Sequence, residues 1–244
     1  VVGGQDAHCG NLGFIYGQLG EYNKAIKYYE MALDVVKENN SVNNGKWLKG
    51  IGSIYAYVGD YEKAIAYFEK SLAMFKKAND LVSYGMCFGD LGKVYRKMED
   101  YQKALDLLEQ SVKYLREANA DDYLISEYQG DLADIYLATG RDKDAFTIYS
   151  KIEDKIRIGR YHLKANNYKE ACQSFGWGIA VEKNTYGLDK RIAQLIGMGM
   201  CSEGSSSYSS ALRNYTNAIA EMEEQRSGLS LDERNHYFEG EVHG

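Results

Sequence analysis

Proline does not occur once in the 244 residues of the chain. Without it the commonest helix breaker is missing, so nothing in the backbone forbids long helices. Long apolar runs are missing as well, which excludes a membrane-spanning helix. The first residues lack the charged, apolar and small-residue order of a secretory signal, and a cytoplasmic protein is expected. Cysteine is scarce: Cys9, Cys87, Cys172 and Cys201 are scattered with no CxxC spacing. That pattern indicates neither a zinc site nor a disulfide framework, and all four are expected to pack as small apolar side chains. Positive charge is the minority, with 29 Lys and Arg against 35 Asp and Glu and a net charge of −6. An acidic balance argues against a dedicated nucleic-acid or anionic-membrane surface.

What the chain has in excess is 25 glycines and 22 tyrosines. Glycine inside a helix costs about 1 kcal/mol relative to alanine, so this many glycines need a positional reason. The opening VVGGQDAHCG does not supply one. It resembles two fragments of chymotrypsin-like proteases, the processed terminus and the catalytic-histidine context, but these belong on separate strands far apart in sequence. No serine loop follows, and that reading is set aside.

Aligning the chain with itself explains the glycines. NLGFIYGQLGEYNKAIKYYEMAL, GIGSIYAYVGDYEKAIAYFEKSL, DLGKVYRKMEDYQKALDLLEQSV, DLADIYLATGRDKDAFTIYSKI and RIGRYHLKANNYKEACQSFGWGI share one frame, and GMGMCSEGSSSYSSALRNYTNAI fits it more loosely. Each copy reads apolar, small, two residues, usually Tyr, a turn, then Ala, three residues and an aromatic or Leu. The spacing describes a hairpin of two amphipathic helices: Leu12, Gly13 and Tyr16 share one face of the first, and Ala25, Tyr29 and Ala32 one face of the second. Small residues at Gly13, Gly52, Gly92, Ala133, Gly159 and Gly199 are expected to let the helices approach, with Ala25, Ala64, Ala104, Ala145, Ala171 and Ala211 facing them. Gly20, Gly59 and Gly140 fall in the turn, where a left-handed residue ends the first helix.

This frame resembles the tetratricopeptide repeat, whose signature is L-G-x2-Y followed by A-x3-F. The resemblance covers nearly the whole chain and implies an all-α, right-handed superhelical solenoid of about six hairpins. Steps between the small residues are 39, 40, 41, 26 and 40 residues. Most exceed the common repeat of 34, and the long period is similar to that of kinesin light chains, Pins-type adaptors and bacterial peptide-sensing regulators. The step of 26 requires the second helix of the fourth unit to be cut short or to run into the next. A change of direction is therefore expected near Ile152 to Ile158. It would separate a block of four repeats over 1–151 from a block of two over 152–226. Ser230 and Glu233 form a capping box, so a helix from about Leu231 to Phe238 is expected within a capping segment 227–244.

In such an array the first helices line a concave face. Counted from the small residues, the face would carry Asn11, Phe14 and Gln18; Lys46, Lys49, Ser53 and Tyr57; Met86, Asp90, Lys93, Arg96 and Lys97; Glu127, Asp131, Asp134 and Ala138; then Arg157, Arg160 and Lys164. The resemblance implies a protein or peptide partner. Ser53 stands where the carboxylate-gripping members carry Asn, so an internal segment of mixed charge is expected rather than a chain end. Glu127, Asp131 and Asp134 would interrupt any continuous phosphate track, so no nucleic acid is expected.

Chemistry has few other footholds. His162 takes a seam position held by Tyr elsewhere and is expected to be a buried, hydrogen-bonded replacement. His236 and Glu239 are one turn apart but lack further metal ligands, so no metal and no cofactor are expected. Asn39 and Asn214 begin chance sequons. The reading is a non-catalytic adaptor. QRSGLSLDERNHYF is similar to the segment joining tetratricopeptide arrays to caspase-like CHAT proteases, which implies an alternative: a regulatory or sensor module with a carboxy-terminal effector. Both ends read as cut from a longer chain.

Overall fold

The computed structural model of the chain describes residues 5–35, 41–179 and 188–227. Among these residues there are twelve helices and no strand: α1 Gln5–Gln18, α2 Tyr22–Val35, α3 Ser41–Tyr57, α4 Tyr61–Ala78, α5 Leu81–Lys97, α6 Tyr101–Glu117, α7 Asp122–Ala138, α8 Asp142–Lys151, α9 Lys155–Lys164, α10 Tyr168–Ile179, α11 Leu188–Gly204 and α12 Tyr208–Ser227. They pair in order into the six hairpins that the repeat frame predicts. None is long and apolar enough to cross a membrane.

The turns follow from local chemistry. Gly20, Gly59 and Gly140 close the first helices of their hairpins with φ of 79°, 83° and 81°. Where the sequence lacks glycine, Glu99, Asn166 and Ser206 take the same left-handed conformation at φ of 61°, 57° and 59°, against the preference of residues that carry a Cβ. Aspartates then start several helices. Asp60, Asp80 and Asp100 accept from the backbone N–H three residues on, satisfying a donor that the helix leaves unpaired.

Packing inside each hairpin departs from the expectation in one respect. The six alanines are buried, but what lies against the small residue is the side chain four positions after the alanine. A Cβ on Gly13 would sit 2.8 Å from the Tyr29 ring, on Gly52 3.1 Å from Phe68, on Gly92 2.9 Å from Leu108 and on Gly159 2.6 Å from Phe175. The alanine packs one turn further along, as Ala25 does against Gly17 at 3.9 Å. A small residue is needed because a ring or Leu side chain enters there, and the tyrosine beside it stacks half-buried, Tyr16 on Tyr28 at 5.1 Å and Tyr55 on Tyr67 at 5.6 Å.

Two compact units divide between Leu132 and Ala133. The first has cores around Trp47 and Ile51 and around Phe68, Phe75 and Cys87. The second has smaller ones around Ala133, Ala145 and Tyr149 and around Ala171, Phe175 and Cys201. The short sequence step is met by truncation: α8 has 10 residues where α4 has 18. Glu153 turns left-handed at φ 56°, and Asp154 starts α9 by accepting from the N–H groups of Ile156 and Arg157. The cysteine expectation is corrected for one pair: Cys172 of α10 and Cys201 of α11 form a disulfide, while Cys87 is buried and free and Cys9 half-buried and free. The helix expected from Leu231 to Phe238, with His236 and Glu239, lies outside the described residues, as does Asn39.

Candidate partner-binding face

In the first unit the residues read from the sequence as a binding face are joined to one another across successive first helices. Lys49 of α3 donates to the Asp90 carboxylate of α5 at 2.6 Å, with both side chains about four-fifths buried. Tyr128 of α7 donates its hydroxyl to the same carboxylate at 3.2 Å and to the Met86 carbonyl at 3.2 Å. Lys93 of α5 lies 3.2 Å from Asp131 and 3.6 Å from Glu127, both on α7, with its ammonium 4.8 Å from the Tyr128 ring centre. Opposite charges therefore alternate from α3 through α5 to α7.

The environment fixes their protonation. Burial, then the neighbouring Asp90, pushes the Tyr128 phenol above the ordinary tyrosine range, so it remains a donor. Burial works against the Lys93 charge, but Asp131, Asp90 and Glu127 outweigh it and hold the amine above the usual lysine value. Tyr128 fits because Gly89 lies beneath its ring, where any Cβ would collide. Sequence reasoning missed Tyr128. The signal was present: Trp47 stands over Gly10 in the same way, and both aromatics lie five residues before the small residue of their unit.

The second unit repeats this self-pairing. Asp134 accepts from the Tyr149 hydroxyl at 2.7 Å and from Arg157 Nε at 3.2 Å, and Arg157 also reaches Asp154 at 2.6 Å. Lys164 donates to the Leu137 carbonyl at 2.6 Å and to Asp142 at 2.8 Å. Eight expected face residues, Lys49, Asp90, Lys93, Glu127, Asp131, Asp134, Arg157 and Lys164, thus hold hairpins together.

The remaining ones point outward. Phe14 is 59% exposed and Tyr57 45%; Asn11, Gln18, Lys46, Ser53, Lys97 and Arg160 are exposed too. Ser53 donates to the Lys49 carbonyl of its own helix. Arg96 is half-buried, and its Nε has no acceptor among the described residues. A separate apolar groove of about 430 Å³ lies between α6 and α7, lined by Val112, Arg116 and Leu132 among others.

No group of three or more potential metal ligands occurs among the described residues. His162 differs from its expectation: it is half-buried, edge-on to Phe146 and Tyr161 at 5.7 and 5.3 Å, and its Nδ1 has no hydrogen-bond partner there. Asn214 is buried, which agrees with a chance sequon.

The fold is similar to that of solved proteins. The apo form of RapI superposes with a TM-score of 0.65 at 14% identity, covering 91% of this chain and 85% of that one. BtubC (BKLC) from P. vanneervenii superposes with a TM-score of 0.56 at 10% identity, covering 92% and 82%. No curated protein matches in sequence. The profile of the tetratricopeptide repeat matches residues 6–77 and 83–154, more than half of the chain. With the repeated register and six hairpins, that match establishes that the chain belongs to the tetratricopeptide repeat family.

Proposed function

We propose that the chain is a non-catalytic adaptor whose first-helix face takes an extended segment of a protein partner, and that this segment is acidic rather than of mixed charge. The family is one of protein-interaction scaffolds in general. Support for the acidic partner comes from the charges left after internal pairing. In the first unit Asp90, Glu127 and Asp131 are all engaged by Lys49 and Lys93. Lys46, Arg96 and Lys97 of the same face have no acidic partner among the described residues. A face that has neutralised its own carboxylates attracts carboxylates from outside, and exposed Phe14 and Tyr57 add apolar contact for neighbouring side chains.

The test is fluorescence anisotropy with acidic, neutral and basic versions of one extended peptide. Tightest binding by the acidic version, weakened by salt and lost by at least tenfold in Lys46→Glu/Lys97→Glu, supports the reading. Lys49 and Lys93 are unsuitable for this purpose because their replacement breaks the hairpin junctions. Equal binding of the neutral or basic peptide contradicts the acidic assignment.

A further inference from the structure

The disulfide occupies a repeated place in the fold. Cys172 directly follows the repeat alanine Ala171, and Cys201 lies two residues after the small residue Gly199. At earlier junctions the same two places hold apolar pairs. Ile26 and Ile54 share one core cluster, Ile65 and Val94 another, and the rings of Phe146 and Tyr161 stand 4.6 Å apart. Between the fifth and sixth hairpins the stacking contact is replaced by a covalent bond, with Cα atoms 5.6 Å apart.

The sixth hairpin leaves two apolar register positions open. On α12, Leu212 is 69% and Ile219 55% exposed. Their register equivalents Ile65 and Leu105, and Leu72 and Val112, are half-buried or buried. Repeat stability is a sum of neighbour interfaces, so a covalent bond at this junction sets how firmly α11 and α12 are held on α10. Cys201 is fully buried and Cys172 half-buried.

We propose that Cys172–Cys201 is a redox-controlled staple that sets whether the sixth hairpin, α11 with α12, stays docked on α10. A small dithiol attacks the more accessible Cys172 sulfur, and Cys201 leaves as thiolate and is protonated. The mixed disulfide is then resolved by the second thiol of the reagent, giving two cysteine thiols and one oxidised reagent, a two-electron exchange. In an oxidising compartment the hairpin is locked; in a reducing one it opens.

Hydrogen exchange read by mass spectrometry, on the whole chain with and without dithiothreitol, tests this. The expected result is exchange in α11 and α12 at least tenfold faster after reduction, with α3 to α6 unchanged. Cys172→Ser/Cys201→Ser should match the reduced state in either buffer. Cys172→Ile/Cys201→Val, which restores an apolar pair in that register, should stay protected with no response to reductant. Equal exchange in the two redox states, or four free thiols by mass rather than the two of Cys9 and Cys87 in protein prepared under air, overturns the proposal.

Discussion

Lys49 of the second hairpin and Asp90 of the third meet at 2.6 Å on the side of the first helices, so residues that read in sequence as ligands for a partner serve first as ligands for each other. Asp90 also takes the Tyr128 hydroxyl, which ties a third hairpin to the same carboxylate. Removing the ammonium leaves a largely buried charge with one remaining donor. Lys49→Met should destabilise the chain by about 1–3 kcal/mol, read from urea unfolding. Lys49→Met/Asp90→Asn should cost less than the single change, because the orphaned charge is gone. An additive cost in the double variant would show that the pair is not coupled.

Glycines in this chain divide by what stands opposite them. Gly89 has the Tyr128 ring in the place of its Cβ, so Gly89→Ala should destabilise by about 1–3 kcal/mol through overpacking. Gly176 in α10 has nothing within 4 Å, and Gly176→Ala should stabilise by up to about 1 kcal/mol through helix propensity. Thermal melts of the two variants should move in opposite directions.

The pKa shifts of the buried groups place the pH limit on the alkaline side. Burial pushes the Cys87 thiol up to about 12 from its ordinary 9.0, and the Tyr29, Tyr128 and Tyr149 phenols and the Lys93 amine are raised as well. A raised value means that the folded state binds more protons than the unfolded one over the interval between the two. The contribution is then complete below the unfolded value and lost as pH rises through the folded one. For Cys87 the window is pH 9 to about 12. Urea midpoints should be flat through neutrality and fall above about pH 9, and at pH 8 iodoacetamide should label half-buried Cys9 before Cys87.

How much of this was legible depended on whether a feature repeats within one hairpin or between two. Gly13, Tyr16 and Ala25 share a local period, and the hairpins follow from it. That Tyr29, and not Ala25, fills the space at Gly13 depends on depth across the helix pair, which spacing along one helix does not contain. Lys49 with Asp90, and Cys172 with Cys201, join different hairpins. They become visible only when each residue is placed in its repeat register: Cys172 and Cys201 are 29 residues apart, as are Ile65 and Val94. Their spacing looks scattered against the other cysteines and regular only against the apolar pairs that they replace.

The most direct test of the central claim is hydrogen exchange of the chain with and without a glutamate-rich extended peptide. The account predicts new protection in α3 and α5, at the turns carrying Lys46, Tyr57, Arg96 and Lys97. Protection confined to the α6 segment around Val112 and Arg116 would contradict it, since the partner would then occupy the groove beside α7 and not the first-helix face.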